Sequence, residues 1–418
     1  MERYSEYKDS GIFWNKTIPS HWEVRRLGHI LVKERRERPV DAELLVCTNK
    51  ATVVKKGDSK MGLVSDTDDI YQGVCKGDLL IHGMDTWHGA IAVSTLDGMC
   101  TPVVHVCTSK ESVKYVEYYL RNMAQNKVFK LISNGVRQNT SDFRSWNKVA
   151  PIPCFLPPYE EQLSIVSYLD DKCANIDKML EGKQKQIELL SEMKQRVIFD
   201  AVTCGLNPDV KMKVTNIPWL PEIPEHWTVK PIRAILRENN EKTETGTEEL
   251  LSLSQYTGVS RKRDAGKTGM FEAESTIGYK KVHSGQFVMN IMLAWNGSYA
   301  VSGLEGIISP AYCVFDFISN DNKMYYNYLW RLGVYQGAFK TESRGIIDSR
   351  LRLYPNKFLP FPTICPPLEE QNAIVNYINE KVVKIDTLTS KLQQEIESIK
   401  EYKQRLISDV VTGQIKVC

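Results

Sequence analysis

The residues best suited to chemistry in this chain are cations set among glycines, and such clusters occur twice. Near residue 260, three consecutive cations and Lys267 lie between Gly258 and Gly269, and near residue 57 three lysines surround Gly57. Flexible loops that carry Lys and Arg suit the phosphate oxygens of a nucleic acid, although solvated surface lysines give the same pattern. The cations concerned are Lys55, Lys56 and Lys60 in one cluster and Arg261, Lys262, Arg263 and Lys267 in the other.

A second pair of clusters combines arginine, glutamine and asparagine with glycine. Residues 133–140 read SNGVRQNT, and residues 343–350 read SRGIIDSR. Such side chains form paired hydrogen bonds with guanine and adenine edges, and the two segments differ where they could discriminate between bases. The candidate DNA-binding residues from these regions and the residues that follow them are Arg137, Gln138, Asn139, Arg144, Arg344, Arg350 and Arg352.

Each enzyme-like motif in the chain lacks a residue that its chemistry requires. Residues 156–159 read LPPY and resemble the Asn/Asp-Pro-Pro-Tyr/Phe loop of amino-methyltransferases, but Leu156 has no oxygen to accept the amine hydrogen bond. Residues 266–268 read GKT, like the end of a phosphate-binding loop, but Arg261 replaces the first glycine of that motif. Neither motif therefore predicts catalysis.

The other candidates for catalysis or metal binding fail in the same way. Glu192 and Lys194 could suggest a nuclease, but they lie on a predicted helix without a second acid at a fitting place. His21 and His226 each precede a tryptophan and lack metal-ligand spacing, which favours a packed turn. The sequence predicts no catalytic residue, no metal site and no cofactor bound by this chain.

Composition leaves nucleic-acid binding open. The chain has 418 residues with 54 Lys and Arg against 51 Asp and Glu, and its net charge of +3 permits a nucleic-acid partner without requiring one. Its 10 cysteines form no C-x-x-C pair, which predicts reduced, structural thiols. No apolar run approaches the roughly 18 residues that span a bilayer, and the N-terminus is too polar for a signal peptide. We expect a cytoplasmic protein that has no membrane partner.

The chain contains an internal repeat. The segment IPSHWEV begins at Ile18 and returns as IPEHWTV at Ile223, and PPYEEQ begins at Pro157 and returns as PPLEEQ at Pro366. Residues 40–70, by contrast, share almost nothing with their counterparts beyond similar length. One scaffold therefore carries two different surfaces, which favours two copies of a module that read two different things.

The first part of each copy is predicted to be a globular domain. Short strand-like runs at 78–81, 286–289 and 311–315 alternate with Gly and Pro, which suits an α/β or mainly β domain. Trp87 and Trp295 occupy equivalent positions in the two copies. A tryptophan kept in both is more typical of a core than of a binding surface.

Each copy ends in a predicted long helix. Proline is absent from 159–207 and from 368–418, and apolar residues follow a 4-3 spacing for more than four heptads, as in a coiled-coil seam. Lys194 and Lys403 interrupt this seam at equivalent places, where a position would face solvent or a partner. Two such helices most simply pack antiparallel, and a separate local bundle for each helix is the alternative. The predicted seam residues are Leu169, Ile176, Ile187, Leu190, Val197, Ile378, Ile385, Leu392, Ile399 and Leu406.

These motifs, in this order and all twice, resemble the specificity (S) subunit of type I restriction-modification systems. The resemblance rests on Ile-Pro-x-His-Trp, on Gly-Asp-Leu-Leu-Ile at 77–81, and on Pro-Pro-x-Glu-Glu-Gln opening a long helix, and it covers nearly the whole chain. In the second copy Gln286 stands where the first has Asp78. The resemblance implies two target recognition domains that each read one half of a bipartite, asymmetric DNA site. It carries over no base-reading residue, because those lie in the variable regions of the family.

The resemblance also implies partners. Double-stranded DNA would be bound by the recognition domains, and the helices would dock methyltransferase (M) subunits, typically two, to which restriction (R) subunits add. S-adenosylmethionine, ATP and Mg²⁺ are expected in those partner subunits, and none in this chain. A partner with fused methylase and nuclease, or a coiled-coil scaffold that does not bind DNA, remain alternatives.

The predicted fold class is α+β: two globular α/β target recognition domains separated by two long helices that form an antiparallel coiled coil, with an internal pseudo-twofold repeat. The predicted domains are recognition domain 1 at 1–155, spacer helix 1 at 156–206, recognition domain 2 at 207–362 and spacer helix 2 at 363–418.

Overall fold

The computed structural model describes residues 2–39, 41–58, 70–133, 141–264, 275–345 and 351–417. The chain divides into two compact units: unit 1 is Met1–Lys185 with Leu392–Cys418, and unit 2 is Gln186–Lys391. Each unit therefore contains one sheet-rich region and one segment from each of the two long helices.

The strands of the two units correspond one to one. Those of unit 1 are β1 (Tyr7–Ile12), β2 (Asn15–Pro19), β3 (Glu23–Arg26), β4 (Leu31–Glu34), β5 (Leu45–Cys47), β6 (Val53–Lys55), β7 (Gln72–Val74), β8 (Leu79–His82), β9 (Ile91–Val93), β10 (Gly98–Cys100), β11 (Val104–Ser109) and β12 (Pro153–Leu156). Those of unit 2 are β13 (Met212–Ile217), β14 (Leu220–Pro224), β15 (Thr228–Pro231), β16 (Leu236–Asn239), β17 (Leu251–Ser254), β18 (Gly258–Arg261), β19 (Lys280–Val282), β20 (Phe287–Asn290), β21 (Tyr299–Val301), β22 (Gly306–Ile308), β23 (Tyr312–Phe317) and β24 (Pro362–Cys365).

The helices differ greatly in length. The short ones are α1 (Leu27–Ile30), α2 (Val113–Gln125), α3 (Val128–Ile132), α4 (Trp146–Val149), α6 (Lys323–Trp330), α7 (Gly333–Glu342) and α8 (Pro355–Phe358). The long ones are α5 (Tyr159–Cys204) and α9 (Leu368–Val411). Both long helices begin directly after a Pro-Pro pair and lie within the segments predicted for spacer helices. The division into four domains stays a prediction.

Sheet topology is the same in both units. A four-stranded antiparallel sheet has the order β4-β11-β8-β9 in unit 1 and β16-β23-β20-β21 in unit 2. The two-stranded pairs β1-β2, β3-β12, β5-β6 and β7-β10 recur as β13-β14, β15-β24, β17-β18 and β19-β22. Each described strand of unit 2 thus has a counterpart with the same partner in unit 1, so the sequence repeat is a structural repeat.

The turn that precedes β8 in unit 1 and β20 in unit 2 is kept although Asp78 is replaced by Gln286. In unit 1 the Asp78 carboxylate accepts a hydrogen bond from the Cys75 N–H at 2.7 Å. In unit 2 the Gln286 side-chain oxygen accepts one from the His283 N–H, also at 2.7 Å. An amide oxygen replaces a carboxylate oxygen here, and the turn keeps its geometry.

The segments of α5 and α9 within unit 1 run antiparallel. Lys183 Nζ lies 2.5 Å from Glu395 Oε2, and Lys403 Nζ lies 2.6 Å from Asp177 Oδ1. A later position on α5 therefore pairs with an earlier position on α9. The residues predicted for the seam are all buried or half-buried.

The two lysines that interrupt the seam make equivalent ion pairs. In unit 2 Lys194 Nζ lies 2.8 Å from Asp386 Oδ1, which matches the pair between Lys403 and Asp177 in unit 1. Each lysine sits at a seam position, and its ammonium group reaches an aspartate of the facing helix segment. At both interruptions of the seam, the lysine therefore pairs with the facing helix segment of its own unit.

The end of α9 packs against the first sheet region within unit 1. Gly413 has a left-handed backbone with φ of 72°, and a Cβ atom there would overlap Pro19 Cδ and lie 3.3 Å from the Trp22 ring. We expect Gly413→Ala to lower the free energy of unfolding by about 1–3 kcal/mol, because strain and steric overlap add.

Gly182 provides the matched control for this prediction. It lies inside α5, and no neighbouring atom lies within 4 Å of the place that a Cβ atom would take, so Gly182→Ala should stabilise the chain by about 0.5–1 kcal/mol. Denaturant unfolding of the purified variants measures both changes. Equal midpoints for the two variants would contradict the close packing at Gly413.

Candidate nucleic-acid interface

The Ile-Pro-x-His-Trp turn of each copy is hydrogen-bonded to the first turn of a long helix. In unit 1 the Trp22 Nε1–H donates to Glu161 Oε1 at 3.0 Å, and His21 Nε2 lies 2.8 Å from Glu161 Oε2. The equivalent residues of unit 2, with the same distances, are Trp227, His226 and Glu370. The two most recognisable motifs of the sequence therefore interlock and serve packing.

The glutamine of the same helix motif positions a second helix. The Gln162 amide donates to Pro157 O and to Glu111 Oε2 at 2.9 Å each, and its oxygen accepts from the Ser112 N–H at 3.0 Å. Ser112 is the N-cap of α2. Gln371 makes the corresponding bonds before α6 in unit 2. The scaffold thus fixes the N-terminal ends of α2 and α6.

The first predicted cation clusters lie on equivalent hairpins. Lys55 pairs in register with Leu45 at the end of the β5-β6 hairpin, and Arg261 pairs with Leu251 at the end of β17-β18. A short 3₁₀ turn follows each hairpin, at Lys56–Asp58 and at Lys262–Asp264. Lys60 and Lys267 lie outside the described residues.

The charges of these clusters are only partly balanced. Lys55 Nζ lies 3.0 Å from Glu43 Oε1, and Arg263 lies 3.4 Å from Glu249 Oε2, in exposed pairs worth roughly 0.2–1 kcal/mol. Within the part of the chain that the structure describes, Arg261 and Lys262 have no acidic partner. Both hairpins can therefore present positive charge to phosphate oxygens at little cost.

The second predicted clusters lie mostly outside the described residues. These are Arg137, Gln138, Asn139 and Arg350, and their roles stay predictions. In unit 2 Arg344 and Arg352 form an antiparallel bridge with backbone hydrogen bonds of 3.0 and 2.9 Å, so they hold the two ends of that segment together. Arg144 is exposed in unit 1, directly after the corresponding segment.

A tryptophan turn recurs at equivalent positions of the two units. Trp87 belongs to a 3₁₀ turn at Thr86–His88, and Trp295 to one at Ala294–Asn296. Both rings are half-buried rather than fully in the core. Lys130 Nζ lies 5.6 Å from the Trp87 ring centroid, and Lys340 Nζ lies 5.0 Å from that of Trp295, which are cation–π distances.

The lysines of this arrangement were missed by the sequence reasoning. Lys130 and Lys340 stand at matching positions near the ends of α3 and α7, and their recurrence in both copies is the signal that could have revealed them. Each unit thus carries hairpin cations and, at its tryptophan turn, a lysine over an aromatic ring. Such cations suit phosphate contacts.

Thiols and possible metal ligands give no sign of a reactive centre in the described ranges. The nine cysteines described are free, and burial raises the pKa of Cys100 and Cys107 to about 12 and that of Cys313 to about 11. No group of three or more His, Cys, Asp or Glu residues there could hold a metal ion. Among the described helices, none combines the length and apolar character needed to cross a membrane.

Comparison with known proteins identifies the fold. No protein-family model and no curated protein sequence matches the chain. A solved chain from work on complex assembly and conformational transition of the type I R-M system aligns with a TM-score of 0.69 at 14% identity, over 95% of this chain and 99% of that one. The HsdS subunit from Thermoanaerobacter tengcongensis aligns with a TM-score of 0.56 at 14% identity, over 95% and 98%. The predicted α+β fold, with two sheet-rich domains and two long helices, is confirmed.

Proposed function

We propose that this chain is the DNA sequence-specificity subunit of a type I restriction-modification complex. The observation that carries the proposal is the duplicated scaffold, which presents cationic hairpins of different sequence at equivalent positions. Its fold is that of solved type I chains. Two recognition domains of unlike sequence on one repeated scaffold suit an asymmetric, bipartite DNA site.

In this proposal the hairpin cations and the second residue cluster of each recognition domain have separate roles. The hairpin cations contact phosphates and fix the register, because such contacts carry no sequence information directly. The segments at 133–140 and 343–350 would contact base edges, since Arg, Gln and Asn can form paired hydrogen bonds there. The two half-sites would lie about one turn of DNA apart, as for a pseudo-twofold reader.

Catalysis is assigned to partner subunits. The long helices would dock M subunits, and R subunits would join the complex through them. S-adenosylmethionine, ATP and Mg²⁺ would bind in those partners, and the methylated adenine would be flipped out of the duplex. The chain itself would act without turnover, in the cytoplasm.

Exchange of one recognition domain tests the proposal. We expect that replacing residues 40–150 with the corresponding region of another such subunit changes one half of the methylated sequence and leaves the other half unchanged. Sequencing of methylated bases in cells with the exchanged chain measures this. A change in both halves would contradict the modular reading.

Salt dependence separates a DNA reader from a scaffold that never touches DNA. Phosphate contacts by Lys and Arg release counterions, so affinity for DNA should fall steeply as salt rises. Titration of the assembled complex with duplex DNA at several salt concentrations measures the slope. A slope near zero would favour the scaffold.

A further inference from the structure

Unit 2 contains a groove of about 1080 Å³ between α5 and the sheet-rich region. Ile198 and Phe199 line it on the side of α5, and Tyr256, Met324 and Arg331 line it on the opposite side. Phe199, Tyr256 and Met324 are exposed, large apolar side chains. The walls thus combine apolar side chains with charged groups of α5 and with the guanidinium of Arg331.

Arg331 has no acidic partner in the described part of the chain. Its Nη1–H donates to Tyr299 O at 3.2 Å, and its Nη2–H donates to Gln255 O. These bonds use two of the five N–H donors of a guanidinium. Burial lowers the pKa of Arg331, since the charge has lost water without gaining an anion.

The equivalent arginine of unit 1 is neutralised. Arg121 Nη1 lies 3.5 Å from Glu117 Oε1, and Lys114 Nζ lies 2.9 Å from Glu117 Oε2. Glu117 is itself buried. In unit 1, therefore, the carboxylate of Glu117 balances the charge of the equivalent arginine.

Unit 2 has no acid at the position of Glu117, but the residue there accepts the same backbone hydrogen bond. Asn327 stands at the position of Glu117, and its side-chain oxygen accepts from the Val301 N–H at 3.1 Å, as Glu117 accepts from the Val93 N–H at 3.3 Å. Met324 replaces Lys114. Two cations and one acid in unit 1 and one cation in unit 2 give these positions the same net charge of +1, but Arg331, unlike Arg121, has no carboxylate beside it and is open to a ligand.

The other cations of the groove are already paired. Lys194 lies 2.8 Å from Asp386, and Arg196 lies 3.5 Å from Asp200. Glu192, on α5, is the remaining acid of the lining. Arg331 is thus the charge that a ligand would neutralise.

We propose that this groove binds an acidic, otherwise apolar segment of a methyltransferase subunit, with one carboxylate placed on Arg331. The choice of partner rests on the proposed function. A DNA backbone carries a phosphate at every step and needs several open cations, whereas Arg331 is the one lining cation without an acidic partner among the described residues, which matches a single carboxylate. Unit 1 has no open counterpart of Arg331, so the two methyltransferase copies contact unlike surfaces.

Asn327→Glu tests the proposal by giving unit 2 the acid that unit 1 already has. Calorimetric titration of the full chain with purified methyltransferase subunit, without DNA, should show one of two binding events weakened roughly ten-fold or more, because the internal carboxylate occupies Arg331. The other event should keep its affinity. Asn327→Gln, which adds the same length without charge, is the matched control and should bind like the wild type.

Arg331→Gln removes the charge from the other side and should weaken the same event to a similar extent. Unchanged affinity at both events in Asn327→Glu and Arg331→Gln would overturn the inference while leaving the proposed function intact. A fall in DNA affinity with unchanged methyltransferase affinity would also overturn it and would assign the groove to phosphate. A wild-type chain that binds neither methyltransferase nor DNA would instead contradict the proposed function.

Discussion

Replacing Arg261, Lys262 and Arg263 together with alanine is expected to weaken DNA binding on the order of a hundred-fold near physiological salt. Each phosphate contact contributes a slope of about 0.9 to the dependence of log affinity on log salt, so three contacts account for about 2.7. Arg261 and Lys262 have no acidic partner among the described residues, and the pair of Arg263 with Glu249 is exposed. Little protein stability is lost with these side chains, so the change should appear in binding.

The measurement is DNA affinity of the assembled complex at a series of salt concentrations. The loss should be similar for specific and unrelated sequences, because phosphate contacts do not identify bases. A triple change of Lys8, Lys16 and Lys230 to alanine removes the same charge from exposed positions outside the long helices and the cationic hairpins. If this control and the hairpin variant lose affinity equally, the hairpin is not a phosphate-binding surface.

The long helices could be predicted closely because their information is local. A 4-3 pattern of apolar residues requires only that neighbouring turns share a face, and the Pro-Pro pairs mark where each helix begins. The positions of Leu169 and Ile378 in the seam follow from that pattern, and both are fully buried. The ion pairs of Lys194 and Lys403 could not be foreseen, since they depend on which helix segments face each other.

The sheet topology could not be predicted for the same reason. Strand β3 pairs with β12, so Arg26 opposes Pro153 across more than a hundred residues of chain. The contact of Gly413 with Pro19 joins opposite ends of the sequence. Alternation and turn residues indicate that strands exist but carry no information about distant partners.

The candidate site was predicted in part. The sequence repeat placed the hairpin cations in corresponding regions, and the structure puts Lys55 and Arg261 at the same register position. The sequence reasoning did not reach Arg331, because α2 and α6 look like ordinary amphipathic helices. The difference between Glu117 and Asn327 indicates an unpaired arginine only when the structure shows that Glu117 pairs with Arg121.

Trp227→Ala is expected to lower the free energy of unfolding by about 3–5 kcal/mol, as for other large buried aromatic residues. The ring is fully buried in the core of unit 2. Its Nε1–H donates to Glu370 Oε2, and its Cζ2 atom lies 3.3 Å from where a Cβ of Gly205 would stand. The change would therefore open a cavity and remove the donor that ties the turn to α9.

Trp227→Phe separates these two effects, since it keeps most of the apolar volume but removes the donor. It should cost about 1.5–3 kcal/mol, the usual contribution of a hydrogen bond to a charged group, because half-buried Glu370 loses this donor. Tyr256→Ala is the control, because that side chain is 83% exposed and its loss should change stability by less than about 0.5 kcal/mol. Denaturant unfolding of each variant provides the comparison.

A double variant, Trp227→Phe with Glu370→Gln, shows whether the two motifs act as one element. If the tryptophan and the glutamate stabilise the fold through their shared hydrogen bond, the second change should cost less after the first than it does alone. Additive costs would mean that each side chain acts separately. Since His226 also contacts Glu370 at 2.8 Å, a residual cost for Glu370→Gln should remain, and His226→Ala added to the double variant should remove most of it.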